Sequence, residues 1–445
     1  MKQRAFNKPE SLASRGKKPM ASLHTMLMEQ LTAIPDMFIS KMIKRKIEDA
    51  GGKAPEQLVQ ALVDHISNGE DSPFEWHDEH AEDLDLDIEI DAADVESVIQ
   101  EIDDFNKTKL PDLIESVTKE AGVIILRSLE RDWPEQKSFE EAQMEVFRYN
   151  LEERWGKAFD VLRMMYTVAR ELGNEAAKRQ RRSRSSKQAA LRETLLRLHA
   201  RACQVTAEII CLMANGYADG AMARWRTLHE ITVVASVIAQ HGNGLAVRYL
   251  DHEAIEAKRA MDRFLVSHEA LGYPAPSPRE IKRVERLYEE RLTTYGNNFG
   301  SQYGWAAHHL GLKKPRFDDL EVAAGKVAMR PHYQMASYNV HASSKGIAFR
   351  LGLLDGEGLG QPVALAGASN AGFSDPAQNT AQSLTQITGL LFGSNWRFDR
   401  MIEMRILLDL RDKLPRILLR AERRLERDHR QFLKKLRDRK AKRAR

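Results

Sequence analysis

Three side chains of complementary chemistry share one face of a predicted helix near the middle of the sequence. Arg226, His229 and Glu230 stand at positions i, i+3 and i+4, and residues at these spacings contact each other on a helix surface. A guanidinium can stabilise charge that develops on a phosphate, an imidazole can exchange a proton, and a carboxylate can hold the guanidinium in place. This combination indicates a candidate catalytic site.

The surroundings of this group leave a structural interpretation open beside the catalytic one. Mostly small residues at 218–223 precede it and an apolar run at 231–239 follows it, which predicts a helix buried on most sides. Charged residues are seldom fully buried without a partner or a task. Alternatively, Arg226 and Glu230 form a plain ion pair, worth roughly 0.3–0.5 kcal/mol if exposed, and His229 fills a gap beside it.

A second group of polar residues follows about 110 positions later. Tyr338 and His341 are three residues apart on a short predicted helix, and a histidine there can accept or donate a proton near neutral pH. A histidine that bonds a carbonyl at a helix end is the structural alternative. Ser343 and Ser344 are weaker candidates for a nucleophile, because neither lies in a Gly-x-Ser-x-Gly elbow.

Motifs for metals, cofactors and membranes are missing from the sequence. It has neither a Walker-type phosphate loop nor a Gly-x-Gly-x-x-Gly fingerprint. A helix would hold Cys203 and Cys211 about 12 Å apart, which is too far for a disulfide, and no zinc-binding spacing surrounds them. The apolar run at 231–239 is shorter than the ~20 residues that a bilayer requires. We therefore expect a cytoplasmic protein without cofactor, resident metal or membrane span.

The elements that must position these residues are predicted to be helices. Apolar residues keep helical spacing over most of the sequence after position 138, so we expect an all-α, multi-helix bundle. Ser138 with Glu141 predicts one helix start and Gly173 the end of that helix. Ser277 with Glu280 predicts another start. The final helix should be long and basic.

Composition shifts divide the chain into segments. Strict alternation of apolar and acidic residues at 84–91 predicts a single strand, which has no obvious partner strand. The expected segments are a flexible basic tail at 1–30, an N-terminal helical region at 31–177 with an acidic segment at 64–104, a basic linker at 178–187, a core bundle at 188–350, a Gly- and Ala-rich loop at 351–375, and C-terminal helices with a basic tail at 376–445.

The formal net charge of +4 conceals two oppositely charged blocks. Residues 64–104 include 17 Asp or Glu and no Lys or Arg, whereas residues 400–445 include 18 Lys or Arg and 7 Asp or Glu. The basic block could contact RNA or another nucleic acid, since Lys and Arg neutralise phosphates and release counterions. The alternative is a helix that is solvated or that pairs with the acidic segment. Either block is also a candidate contact for a protein partner or for a second copy of the chain.

Residues 189–396 resemble an uncharacterised family of bacterial all-helical proteins. The resemblance rests on Arg226-x-Leu-x-Glu230, on Arg248-Tyr-Leu250 and on Tyr338-x-x-His341-Ala-Ser343. The bundle is more loosely similar to the HEPN group of helical nucleases, whose Arg and His spacing Arg224-Trp-Arg-Thr-Leu-His229 fits. That second resemblance implies a nuclease that works with arginine and histidine.

Two hypotheses follow. In the first, the protein is a metal-independent ribonuclease in a toxin or defence setting, His341 or His229 exchanges a proton, Arg226 stabilises the phosphate, and Glu230 holds Arg226. In the second, it is a non-catalytic interaction or scaffold protein in which the same polar residues form a structural network. The first hypothesis requires Arg226, Glu230 and His341 to meet at a cleft that solvent reaches.

Overall fold

A computed structural model describes Thr25, Met28 and residues 31–67, 74–76, 88–182, 187–354, 364–392 and 398–443 of the chain. Every regular element among these residues is a helix, which confirms the predicted all-α class. None of the described helices is both long and apolar enough to cross a membrane. The chain forms two compact units, Met1–Met144 and Glu145–Arg445.

The first unit has a small apolar core between short helices. Its core residues are Ile43, Ile47, Val59 and Val63, all almost fully buried. A capping box at Asp91, whose side chain accepts from the backbone amide of Asp94, begins the third helix. The helices are α1 (Ile34–Asp49), α2 (Glu56–Ser67), α3 (Ala92–Thr108) and the first part of α4 (Leu110–Arg182).

The second unit is a bundle around one central helix, α6 (Ala218–His241). This helix packs against the helix before it, the helix after it, and three later helices, α11 (Phe317–Ala323), α12 (Arg330–Tyr338) and α14 (Ser374–Leu390). Because α6 has neighbours on several sides, its Trp225, Leu228 and Val233 are fully buried. The helices after α4 are α5 (Ala189–Ala214), α6 (Ala218–His241), α7 (Asn243–Asp251), α8 (Glu253–Ser267), α9 (Pro278–Tyr295), α10 (Gly304–Leu310), α11 (Phe317–Ala323), α12 (Arg330–Tyr338), α13 (Ser344–Ala348), α14 (Ser374–Leu390) and α15 (Phe398–Arg443).

Several predicted elements agree with the structure. Ser277 and Glu280 form a reciprocal capping box at the start of α9, with Pro278 at its first position. The long basic helix at the end of the sequence is α15. Of the predicted strand at 84–91, residues 84–87 lie outside the described part of the chain, and residues 88–91 are not in a strand.

The predicted helix between Ser138 and Gly173 is wrong at both ends. A single helix, α4, begins at Leu110 and continues through both residues to Arg182, so the first residues of the expected 178–187 linker are also helical. Gly173 does not end the helix. Its lack of a side chain leaves room for a neighbouring helix, because a Cβ atom there would lie 2.8 Å from the His199 ring. The division between the two compact units lies at residue 144, within this helix.

Replacing Gly173 with Ala should lower the free energy of unfolding by about 1–3 kcal/mol. The added methyl group would press on the His199 imidazole, which is 2% exposed and has little room to move. Gly122→Ala, on the same helix, is the matched control, because nothing lies within 4 Å of a Cβ at that position. The free energy of unfolding of this control should rise by up to about 1 kcal/mol, because alanine has a higher helix propensity than glycine. Urea unfolding of both variants measures the contrast.

The described ends of the Gly- and Ala-rich loop are tied to the start of α6. The Asp219 carboxylate accepts hydrogen bonds from the backbone amides of Leu351 at 2.8 Å and Gly352 at 3.2 Å. The Ser369 amide donates to the carbonyl of Gly216 at 2.9 Å. The Asp219 side chain therefore anchors a loop that lies more than 130 positions away in the sequence.

Candidate functional site

Four polar side chains converge where α6 meets α12. The Arg226 Nε donates to Glu230 Oε1 at 3.1 Å, and the Tyr333 hydroxyl donates to the same oxygen at 2.6 Å. The Arg226 Nη1 lies 3.4 Å from His341 Nε2. The structure thus brings together Arg226, Glu230 and His341, as the catalytic hypothesis requires, and adds Tyr333.

The electrostatics of this group hold Arg226 charged and Tyr333 protonated. The Arg226 guanidinium lies over the Tyr333 ring, 4.8 Å from its centroid. Burial, followed by the neighbouring Glu230, raises the pKa of Tyr333 far above its usual range. Burial acts to lower the pKa of Arg226, but Tyr333 and Glu230 outweigh it and raise that pKa. The site therefore presents a fixed cation at neutral pH.

Solvent reaches the outer part of the group. The side chain of Arg226 is 24% exposed and that of Glu230 is 37% exposed. His341, which follows α12, is exposed. A ligand could therefore contact the guanidinium and the imidazole without unfolding the bundle.

His229, the other predicted site histidine, faces a different set of partners. Its Nε2 lies 2.9 Å from Glu321 Oε1, and both side chains are only 2% exposed. Arg330 donates through Nη1 to the second oxygen of Glu321 and through Nη2 to Asp318 at 3.2 Å. His229 is therefore part of a buried ionic network rather than of the accessible group.

The protonation of His229 follows from this network. Burial lowers the pKa of His229, and the hydrogen bond to Glu321 only partly opposes that effect. A neutral imidazole beside a carboxylate must donate, so the proton lies on Nε2. Held in this way, His229 has no exposed nitrogen with which to reach a substrate.

Tyr333 connects the accessible group with the buried network. Its ring stacks on Phe317 at 5.0 Å between centroids and contacts the His229 ring at 5.7 Å. Arg330 lies 5.6 Å from the same ring centroid. Tyr333 therefore packs against His229 of the buried network and against Arg226 of the accessible group, and its hydroxyl donates to Glu230.

The remaining predicted residues have local roles. The Tyr338 ring contacts the Lys345 ammonium, which lies 4.8 Å from the ring centroid. The Ser343 hydroxyl accepts from the Gly346 amide at 3.1 Å and so caps α13. Tyr338 and Ser343 thus position the chain around His341, and nothing in their contacts indicates chemistry.

Two residues that the sequence reasoning missed complete the site. Tyr333 lies in the segment that leads to Tyr338, and its spacing after Arg330 was the only sequence signal for it. Glu321 stands in an ordinary amphipathic segment, where nothing distinguishes it from an exposed carboxylate. Within the described part of the chain, no three His, Cys, Asp or Glu side chains are grouped so as to hold a metal ion.

Comparison with known proteins covers the middle of the chain. No curated protein and no solved structure matches this chain. The similarity to HEPN nucleases therefore stays a prediction. The resemblance of the central region to an uncharacterised family is confirmed, because residues 192–358 match the model of DUF5677, a family of unknown function.

Proposed function

We propose that Arg226 and His341, supported by Glu230 and Tyr333, form a metal-independent ribonuclease site that acts in a toxin or defence setting. The observation that carries this proposal is the 3.4 Å approach of Arg226 Nη1 to His341 Nε2 at an exposed position. Arginine binds phosphate oxygens through a planar fork of donors, and histidine exchanges protons near neutral pH.

The orientation of the two side chains suits this chemistry. An arginine can only donate, so the nitrogen of His341 that faces it must carry a lone pair when the two are bonded. A phosphate bound to Arg226 would therefore lie beside a proton acceptor. Glu230 and Tyr333 keep the guanidinium in place, which reduces the reorganisation needed when substrate binds.

In the proposed reaction, His341 Nε2 takes the proton of a ribose 2′-hydroxyl while the 2′-oxygen attacks the adjacent phosphorus. The bond between phosphorus and the 5′-oxygen breaks, and water protonates the leaving oxygen. The products are a 2′,3′-cyclic phosphate and a 5′-hydroxyl, and His341 returns its proton to the solvent. Arg226 donates to the phosphate oxygens on which negative charge develops.

Attraction of RNA is assigned to the basic C-terminal helix α15. Residues 400–445 include 18 Lys or Arg against 7 Asp or Glu. Such a surface binds phosphates without sequence preference, and its contribution falls as salt concentration rises. Binding to RNA in this proposal should therefore weaken with salt even where the rate of the bound complex does not change.

The test is cleavage of an RNA oligonucleotide by purified protein in the presence of a chelator, measured between pH 5 and 8. His341→Gln should lower the rate about 100-fold, because it removes the proton acceptor. Arg226→Lys should lower it at least about 10-fold, since a lysine lacks the fork of donors. Because His341 is exposed, its substitution should leave thermal unfolding unchanged.

Matched controls are available outside the site in the same compact unit. Arg224 lies two residues from Arg226 but bonds Glu208 and Thr227, and His308 is an exposed histidine on α10. Arg224→Lys and His308→Gln should keep the wild-type rate. Wild-type protein that leaves RNA intact would contradict the proposal, as would a His341→Gln variant with the wild-type rate.

A non-catalytic interaction or scaffold protein is the second candidate, and the buried network favours it. His229, Glu321 and Arg330 are bonded to one another, and the pair of His229 and Glu321 is sealed from solvent. Such a network can stabilise one arrangement of helices with no chemistry at all. In that case His229→Ala would reduce stability, whereas Arg226→Lys and His341→Gln would leave any cellular toxicity intact.

A further inference from the structure

A polar groove outside the Arg226 site lies between α4, α15 and the segment before α14. Its volume is about 480 Å³, which falls within the usual range of small-molecule sites. It belongs to the second compact unit. Six residues line it: Tyr149, Asn150, Glu153, Arg154, Asn370 and Arg424.

The walls of the groove are held by contacts with the core. The indole Nε1 of Trp155, which is fully buried, donates to the carbonyl of Asn370 at 2.9 Å. Trp155 also packs edge-on against Phe373, with 5.3 Å between ring centroids. Arg154 is bonded to Asp428 of α15 at 2.6 Å. These contacts join α4 to the segment before α14 and to α15. A ligand would therefore find the groove already formed.

One cation in the groove has little to bind within the protein. The Arg424 side chain is exposed, and its Nη1 lies 3.5 Å from the backbone carbonyl oxygen of Glu153. Arg154 is engaged by Asp428, which leaves Arg424 as the guanidinium best placed to take a phosphate. It also lies on the most basic helix of the chain.

The other lining residues suit a nucleobase. Tyr149 is 67% exposed, so one face of its ring is open for stacking. The amides of Asn150 and Asn370 and the carboxylate of Glu153 supply both donors and acceptors at the groove, as the polar edge of a base requires. The aromatic ring and the amides thus suit the face and the edge of a base, and the Arg424 guanidinium suits a phosphate.

We infer that this groove binds one nucleoside monophosphate unit, with the phosphate on Arg424 and the base against Tyr149. The unit comes either from a free nucleotide or from the 5′-phosphorylated end of an RNA strand. This binding site shares no residue with the Arg226, Glu230, Tyr333 and His341 group. It therefore does not depend on the proposed ribonuclease activity.

Calorimetric titration of the full chain tests the inference, with AMP, with inorganic phosphate and with a short RNA that carries either a 5′-phosphate or a 5′-hydroxyl. AMP or the phosphorylated RNA should bind saturably, and phosphate alone should bind more weakly. Saturation by AMP identifies a free nucleotide as sufficient, whereas saturation by the phosphorylated RNA alone identifies a strand end. Either result supports the groove as a nucleotide site.

Two matched pairs of variants connect the binding to the groove. Arg424→Ala should weaken binding about 10-fold, whereas Arg423→Ala, at the preceding exposed arginine outside the lining set, should not. Tyr149→Ala should weaken it about 10-fold and Tyr149→Phe should retain it, because stacking needs only the ring. Absence of saturable binding at millimolar ligand would overturn the inference, as would equal losses in Arg424→Ala and Arg423→Ala.

Discussion

Glu321→Ala is expected to lower the free energy of unfolding by about 1–3 kcal/mol, the cost of a buried donor left without an acceptor. Both oxygens of this carboxylate are in use: one accepts from His229 and the other from Arg330. The Glu321 side chain is 2% exposed, so water has little access to the groups that it bonds. Truncation would leave the His229 donor without an acceptor and the Arg330 charge with Asp318 alone.

Equilibrium unfolding in urea at pH 7 measures this effect. Glu289→Ala is the control, because Glu289 is exposed on α9 and its loss should change stability by no more than about 0.5 kcal/mol. The loss of stability in Glu321→Gln should lie between those of Glu321→Ala and Glu289→Ala, since the amide oxygen can still accept one of the hydrogen bonds. A loss below about 1 kcal/mol for Glu321→Ala would show that the network contributes little to stability.

Acidification is expected to remove about 3 kcal/mol of stability through His199. Burial lowers the pKa of His199 from 6.5 to about 4. Between these two values the unfolded chain binds a proton that the folded protein does not, so unfolding becomes easier as the pH falls. The effect is absent above about pH 6.5, grows down to about pH 4 and then levels off.

The measurement is the free energy of unfolding at a series of pH values between 7 and 4. His199→Gln removes the titrating group, although it also perturbs the contact with Thr388, so the slope against pH rather than the absolute stability is compared. An unchanged slope in His199→Gln would show that other groups dominate the acid response.

Local signals predicted some helix ends correctly because the residues that cap a helix are its immediate neighbours in sequence. Ser277, Pro278 and Glu280 form a capping box whose members are all within three positions, and the structure shows that box. The amphipathic spacing in α5, α6 and α14 likewise predicted helices with buried faces. These features depend on short-range geometry, which a sequence displays directly.

Gly173 shows where the same local rules fail. A glycine after an apolar-periodic stretch is typical of a helix end, yet here the chain continues as helix for nine more residues. A glycine stands at this position inside the helix because the His199 ring occupies the space that a Cβ atom would need. A residue on a different helix therefore decided the meaning of this glycine, and no local pattern could report it.

The candidate site divides in the same way. Arg226 and Glu230 were paired correctly from their spacing on one helix. His229, one position away from Glu230, was grouped with them, but its side chain points into a buried network with Glu321. His341 contacts Arg226, which lies 115 positions earlier in the sequence, and Tyr333 of α12 donates a hydrogen bond to Glu230. Their roles in catalysis stay predictions until the variants are assayed.

Composition and periodicity were enough to establish an all-helical protein with a polar face on one of its inner helices, because a 3.6-residue repeat records which side of a helix is apolar. The repeat does not record which other helix covers that side. Only the packed bundle determines that His341 reaches Arg226, that Glu321 seals His229 away from water, and that Arg424 stands over a groove at Tyr149. Contacts between distant segments arise from how all the faces fit together, and that fit is a property of the whole fold.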